Sequence, residues 1–140
     1  MTQKAELGKL GEDLACRYLV DKGYKIIERN FRKPWGELDI IVKSPEKILV
    51  FVEVKTAQQS SPQAMRQFGN EFGNQSGNSN CRIDPEMQMT TAKIKKLKRA
   101  ASLYAGHYPE LIDDNKGWRI DLLALTINGK DCLINHYENI

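Results

Sequence analysis

Residues 48–55 read Ile-Leu-Val-Phe-Val-Glu-Val-Lys, and this stretch decides the fold that the sequence predicts. Its five consecutive apolar residues are typical of a strand buried on both faces, because a strand with one exposed face alternates apolar and polar residues. Glu53 and Lys55 follow, and their spacing of two puts both side chains on one face of the strand. A carboxylate and an ammonium group are costly to bury unless they are paired or bind a metal. The stretch therefore predicts a central strand whose end carries either a metal site or, as an equal alternative on spacing alone, a surface ion pair that contributes little.

The residues around this strand predict an α/β domain. Apolar residues at helical spacing predict helices over residues 3–22, closed by a C-cap glycine at Gly23, and over residues 90–104. Strands are predicted at residues 24–31, 37–43, 48–55, 118–127 and 132–137. The order is α-β-β-β-α-β-β, which predicts a mixed sheet of five strands, rich in antiparallel pairs and flanked by helices.

The composition is that of one globular domain spanning residues 1–140, with 41% hydrophobic and 28% charged residues. Between the third strand and the second helix, residues 57–89 are rich in Gln, Ser, Asn and Gly, which predicts a flexible loop. The longest apolar run is far short of the ~20 residues that span a membrane, and no signal sequence is visible, so we expect a cytoplasmic protein without membrane contact. The three cysteines form no CxxC pair and favour neither a zinc site nor a disulfide framework.

Asp39, on the preceding predicted strand, is expected to lie beside Glu53. A three-residue turn over residues 45–47 would pair Ser44 with Ile48, and the same register brings Asp39 opposite Glu53, with Cβ atoms roughly 5 Å apart. A turn one residue longer would put the two carboxylates on opposite faces. Two carboxylates at this distance suit Mg²⁺ or Mn²⁺, because such a cation accepts one or two carboxylates together with water and phosphate oxygens.

The chemistry expected of this site is hydrolysis of a phosphodiester. A bound metal polarises the scissile phosphate and lowers the pKa of a bound water, and Lys55 positions or deprotonates that water or balances the charge of the transition state. Glu12 is a further candidate acid. It shares a helical stripe with Gly8 and Gly11, two glycines that predict a close approach of the helix to the sheet, so Glu12 is expected to point toward the sheet.

Several motifs resemble one known family. They are Gly8-x-x-Gly11-Glu12, Arg29-Asn30-Phe31-Arg32, Gly36-Glu37-Leu38-Asp39-Ile40-Ile41 and Val50-Phe51-Val52-Glu53-Val54-Lys55-Thr56, with further matches over residues 93–104 and 119–124. They resemble the YraN family of bacterial proteins, which is similar to archaeal Holliday junction resolvases in the PD-(D/E)xK restriction-endonuclease-like superfamily. The sequence departs from the family at Ala57, where a basic residue is usual, and in the length of the loop over residues 57–89.

The resemblance implies a restriction-endonuclease-like fold and a metal-dependent endonuclease acting on DNA, including branched or damaged DNA. It implies that Asp39 and Glu53 are metal ligands, that Lys55 is the catalytic lysine and that Glu12 is the acid on the helix. A homodimer is implied as well, because two sites are needed to cut two strands symmetrically. The alternative is a catalytically inactive nucleic-acid-binding module that keeps the same fold.

Other polar and aromatic residues have two readings each. Lys93 and Lys96 on the second helix, together with Arg32, are expected to contact nucleic acid, although a solvated lysine-rich face is an equal alternative. Glu37 is either a third acid or a turn residue. For the remaining candidates the structural role is preferred: Asp121 as the partner of Arg119, His107 and His136 as structural histidines, and Trp35 and Trp118 as packing residues rather than base-stacking ones.

Overall fold

The structure, a computed structural model, describes residues 2–58 and 89–140 of the chain. The elements are α1 (Gln3–Asp21), β1 (Lys25–Lys33), β2 (Gly36–Lys43), β3 (Leu49–Gln58), α2 (Thr91–His107), the short 3-10 helix Pro109–Leu111, β4 (Trp118–Asn128) and β5 (Asp131–Tyr137). The predicted order α-β-β-β-α-β-β is confirmed. None of the helices in these two segments is long and apolar enough to cross a membrane.

The five strands form one mixed sheet, in which they lie in their sequence order. β1–β2, β2–β3 and β4–β5 are antiparallel pairs, whereas β3 and β4 are parallel. A parallel pair requires a crossover between its strands, and α2 belongs to that crossover and packs on one face of the sheet. The predicted mixed α/β fold with helices on both faces is therefore confirmed.

β3 is the central strand, and both of its faces are covered. Val50 and Val52 pack with α1 on one face, and Leu49 and Phe51 pack with α2 on the other. These four residues are at most 2% exposed. Because neither face meets solvent, the run has no polar positions, which confirms the interpretation of residues 48–52.

The β2–β3 hairpin has the predicted register. Ser44 N–H donates to the carbonyl of Ile48 across the turn at 2.9 Å, and Ile40 lies opposite Val52. One step further along this register lie Asp39 and Glu53, where the ladder between the two strands has ended. The turn length thus set which residues of the two strands lie opposite each other, and with it the approach of Asp39 to Glu53.

Thr2 is the N-cap of helix α1, and its hydroxyl accepts from Ala5 N–H. Gly23, just after the helix, is in a left-handed conformation with φ +90°. A Cβ added at Gly11 would lie 1.9 Å from Thr56 Oγ1, so the predicted close approach to the sheet is confirmed there. For Gly8 this prediction is wrong, since a Cβ there would meet nothing within 4 Å. Gly8 is exposed near the start of α1, outside the contact with β3.

Several boundaries differ from those predicted by one to three residues, and two of these differences have a clear structural cause. β3 was expected to end at Lys55 but runs to Gln58, because its parallel pairing with β4 continues to Gln58 and Ile127. The first two residues of the loop predicted over residues 57–89 are therefore strand, and residues 59–88 lie outside the described residues. Thr90 is the N-cap of α2 rather than its first residue, and its hydroxyl accepts from Lys93 N–H.

Candidate functional site

The candidate site lies where β2 separates from β3. Beyond the pair Ile40–Val52 the ladder ends, and Asp39 directs its carboxylate toward β3. Asp39 Oδ2 accepts a hydrogen bond from Val54 N–H at 3.0 Å. The Asp39 side chain thereby accepts from Val54 N–H, which has no backbone partner on β2 once the ladder has ended. It also lies beside Glu53, the residue before Val54.

Asp39 and Glu53 form a partly buried carboxyl pair, with 17% and 15% of their side chains exposed. Burial and the charge of Asp39 raise the pKa of Glu53 to about 7, against the attraction of Lys55, and the two acids share a hydrogen bond. Because burial and the charge of Asp39 oppose the ionisation of Glu53, Glu53 keeps its proton up to about pH 7 unless a cation replaces it. This donor set fits Mg²⁺ or Mn²⁺, which binds one or two carboxylates and takes its other ligands from water and phosphate.

Lys55 lies on the same face as Glu53, as the spacing of two predicted. Its Nζ is 3.4 Å from Glu53 Oε1, and 27% of its side chain is exposed. An ammonium group in this position is held by Glu53 and also lines the adjacent cleft. It could therefore hold an attacking water or stabilise developing negative charge.

Within residues 2–58 and 89–140, no three His, Cys, Asp or Glu side chains gather closely enough to hold a metal ion. Asp39 and Glu53 are thus the pair of carboxylates that the described site offers. Most coordination positions of a bound cation would be left to water and substrate oxygens, an arrangement that Mg²⁺ tolerates well.

Arg32 borders the carboxyl pair. Its Nη2 is 3.6 Å from Asp39 Oδ1, and its Nη1 donates to the carbonyl oxygens of Phe31 at 3.1 Å and Leu38 at 3.3 Å. The guanidinium therefore holds backbone at the site and is also exposed toward solvent. Glu37, the open candidate for a third acid, lies 4.0 Å from Arg32 Nε and is mostly exposed.

A cleft of about 530 Å³ opens in front of the carboxyl pair. Residues from both walls line it: Asp39, Glu53 and Lys55 from the sheet, and Lys93, Lys96 and Arg99 from α2. The structure thus brings the predicted acids and the predicted lysines into one cleft. Arg99 was missing from the predicted site, although its position three residues after Lys96, itself three after Lys93, was a usable signal in the sequence.

The position of α2 over the cleft depends on Gly36 at the start of β2. A Cβ added at Gly36 would lie 2.5 Å from Ala100 Cβ, so a larger residue would push the helix away. Trp35, just before it, lines the cleft and packs on Phe31 and His107, with ring centroids 5.3 and 5.5 Å away. Trp35 and His107 thus have the packing role that was preferred, and Trp118 packs on Phe51.

Glu12 faces the sheet as predicted but opens into a different hollow. With its amide nitrogen turned toward α1, Asn30 donates to Glu12 Oε2 at 3.0 Å. Burial and the charge of Asp39 nevertheless raise the pKa of Glu12. The hollow has a volume of about 540 Å³ and is lined also by Lys9 and Arg29. Glu12 is thus within electrostatic reach of Asp39 but does not line the cleft that Asp39 shares with Glu53.

A second polar cluster surrounds Asp121, which is fully buried. Arg119 Nε donates to it at 3.0 Å, Asn139 N–H donates at 3.0 Å, and His136 Nε2 lies 2.8 Å away. Burial alone would raise the pKa of Asp121, but these three hydrogen bonds hold it below its usual value. The interpretation of Asp121 as the partner of Arg119, and of His136 as a structural histidine, agrees with this geometry.

The fold and the site define a mixed α/β domain with a carboxyl pair and a lysine at the point where β2 separates from the central strand β3. The chain belongs to the uncharacterised protein family UPF0102, whose sequence model matches residues 11–125. This is the YraN family that the motifs resemble, so the resemblance is confirmed.

Relatives match along most of the chain. A UPF0102 protein of Syntrophomonas wolfei is 37% identical over 134 residues, covering 96% of both chains. A UPF0102 protein of Thermodesulfovibrio yellowstonii is 38% identical over 136 residues, covering 97% of this chain and 96% of its own. Among solved structures, Pyrococcus furiosus SfsA in complex with Ca²⁺ is 19% identical, with a TM-score of 0.33 over 96% of this chain and 63% of that one. A likeness this weak supports no conclusion about site or function.

Proposed function

We propose that the protein is a nuclease that depends on Mg²⁺ or Mn²⁺ and hydrolyses phosphodiester bonds in DNA. The observation that carries the proposal is the Asp39–Glu53 carboxyl pair, with Lys55 beside it, in a cleft whose other wall bears Lys93 and Lys96. The pair of acids retains a proton in place of a cation and faces a basic helix. Such a site suits a polyanion, because a phosphate of the polyanion would complete the coordination of a bound metal.

Each residue then has a distinct role. Asp39 and Glu53 would hold the cation, which when bound polarises the scissile phosphate and lowers the pKa of a bound water. Lys55 donates hydrogen bonds to the attacking water or to a phosphate oxygen, and its charge offsets the negative charge of the transition state. Lys93 and Lys96 bind neighbouring phosphates, so that the scissile bond is held in front of the carboxyl pair.

The finer parts of the proposal come from the family resemblance. Similarity to Holliday junction resolvases suggests branched or damaged DNA as substrate and a homodimer as the active form. Glu12 would act from α1 as an acid adjoining Asp39, and a cytoplasmic location belongs to the same proposal.

A second candidate function is a nucleic-acid-binding module that does not cleave. It is favoured by the finding that, in the described part of the chain, no third acidic, His or Cys side chain joins Asp39 and Glu53. Such a module would keep the basic wall of the cleft and bind DNA with or without metal.

The test combines Mn²⁺ calorimetry with cleavage of labelled duplex, single-stranded and four-way-junction DNA. Asp39→Asn and Glu53→Gln each remove one carboxylate at nearly constant volume, and Asp131→Asn, at an exposed acid that begins β5, is the matched control. We expect both site variants to lose Mn²⁺ binding and to cut at least about a hundredfold more slowly, the loss typical of a group that acts in the transition state. The control should behave as wild type.

The nuclease proposal would give way to the non-cleaving binding module if wild type cleaves no DNA under any metal condition and Glu53→Gln binds DNA as wild type does. Since some metal sites form fully only with substrate present, the Mn²⁺ titration is repeated with duplex and junction DNA before that conclusion is drawn.

A further inference from the structure

The β1–β2 hairpin changes face at Asp39, a position distinct from the β-bulge between Ile26 and Glu28. Leu38 and its partner Phe31 pack in the apolar layer beneath α2. Ile40, two residues after Leu38, packs in the opposite layer beneath α1. Residues two apart in a regular strand share a face. β2 therefore turns over at Asp39.

Asn30 is the residue of β1 that lies opposite this change of face in β2. Its neighbour Arg29 is opposite Ile40, and its neighbour Phe31 is opposite Leu38. Asn30 has φ +53°, in the left-handed region that asparagine enters more readily than most side chains. A left-handed residue within a strand rotates the chain that follows it, as in a β-bulge. The left-handed residue Asn30 thus lies opposite Asp39, the residue at which β2 changes face.

Asn30 and Arg32, whose side chains are exposed, form hydrogen bonds at this position of the hairpin. The Asn30 amide donates to Glu12 of α1, and Arg32 donates to the carbonyls of Phe31 and Leu38. The hydrogen bonds of Arg32 are partly buried and are made to backbone carbonyls, so they do not depend on which residue stands at position 30. The left-handed conformation costs most side chains other than Asn and Gly about 1–2 kcal/mol, so the backbone at Asn30 restricts which residue can stand there.

We propose that Asn30 is a positioning residue for the metal-binding pair. Its left-handed backbone turns β2 over at Asp39, so that the Asp39 carboxylate projects sideways toward β3 and reaches Val54 N–H and Glu53. In a regularly alternating strand the same carboxylate would project from a face of the sheet. The description of Asp39 as a metal ligand rests on the proposed function, but the geometric role of Asn30 does not.

The first test is amide hydrogen exchange measured by NMR on the metal-free protein. The Val54 N–H bonded to Asp39 reports whether the carboxylate is in place, and the Phe51 N–H of the same strand reports the stability of the sheet. Asn30→Gly keeps access to the left-handed region and removes the amide, and it should retain Val54 protection within about twofold. Asn30→Val disfavours that region, and it should lower Val54 protection about tenfold relative to Phe51.

Asn139→Val is the matched control, because Asn139 is also left-handed, with φ +56°, and lies outside the cleft. It imposes similar backbone strain and should lower protection throughout the sheet without changing the Val54 to Phe51 ratio. Wild-type Val54 protection in Asn30→Val overturns the proposal. An equal loss in Asn30→Gly and Asn30→Val also overturns it, because the Asn30 amide rather than its backbone would then be responsible. If Asn30→Val does not fold, Asn30→Ala is judged by the same criteria.

A second readout connects this role to the metal. By Mn²⁺ calorimetry, Asn30→Gly should bind like wild type and Asn30→Val about tenfold more weakly, in proportion to its loss of Val54 protection. If wild type binds no Mn²⁺, with or without DNA, the proposed metal site fails, and the exchange ratio still decides the role of Asn30.

Discussion

Folding and the proposed chemistry require different protonation states of the Glu53 carboxyl group. Folding buries it beside Asp39 and raises its pKa to about 7, whereas a metal ligand has to be ionised. Lys55 offsets only part of this cost. Strongly perturbed carboxyl groups that line a cleft are typical of functional sites, and this one is perturbed by burial and by the residue with which it would share a metal.

This raised pKa predicts how stability depends on pH in the metal-free protein. Between about pH 4.5 and about pH 7 the folded protein holds the Glu53 proton and the unfolded chain releases it, so the free energy of unfolding falls as the pH rises through this window. The fall attributable to Glu53 is on the order of 3 kcal/mol at most. Urea unfolding at several pH values measures it, and Glu53→Gln should remove this part of the slope. A wild-type protein that gains stability relative to Glu53→Gln across the window would contradict the prediction.

At the scale of elements, the contact of α1 with β3 rests on Gly11. Its backbone lies against Thr56, so Gly11→Ala forces the helix or the strand to shift, and overpacking of this kind costs about 1–3 kcal/mol. Gly8→Ala, on the same helix but in open space, should stabilise the protein by up to about 1 kcal/mol through helix propensity alone. Thermal and urea unfolding of the two variants make the comparison. Equal effects would show that α1 does not approach the sheet as closely as described.

The basic residues of α2 that line the cleft predict how DNA binding depends on salt concentration. If Lys96 and Arg99 each bind a phosphate, Lys96→Gln and Arg99→Gln should each reduce the slope of log binding constant against log salt by about 0.9 on duplex DNA. Binding is measured without divalent metal, so that no cleavage intervenes. Lys98→Gln removes the same charge from an exposed position of the helix that does not line the cleft, and it should leave the slope nearly unchanged. A similar loss in all three variants would indicate a diffuse charge effect rather than contacts in the cleft.

At the scale of the whole molecule, residues 2–58 and 89–140 place the Asp39–Glu53 pair in one cleft, so symmetric cutting of two strands by this pair requires two chains. We expect wild type mixed with an excess of Glu53→Gln to form mixed dimers that nick one strand of a junction or duplex. The ratio of nicked to fully cut product, followed by gel electrophoresis, should rise with the fraction of the variant. A monomeric nuclease would lose total activity by dilution and keep this ratio constant.

Much of the sheet was predictable because its signals are local. The run Ile48 to Val52 identified the central strand, since a strand covered on both faces has no polar position. The three-residue turn before Ile48 set the register of the hairpin, and with it the approach of Asp39 to Glu53. The end of β3 was not predictable in the same way, because Thr56 to Gln58 are strand only through pairing with β4, which lies far along the chain.

The sequence by itself determined which residues have suitable chemistry and, through the length of the β2–β3 turn, that Asp39 approaches Glu53 on the strand that also carries Lys55. Only the tertiary structure decided that Lys93, Lys96 and Arg99 form the facing wall, that Glu12 opens into a separate hollow, and that β2 turns over opposite Asn30. Register and alternation follow from neighbours in the chain, because strand geometry repeats every two residues. The placement of α2 depends instead on how closely Gly36 and Ala100 pack, a contact between distant residues that no local pattern encodes.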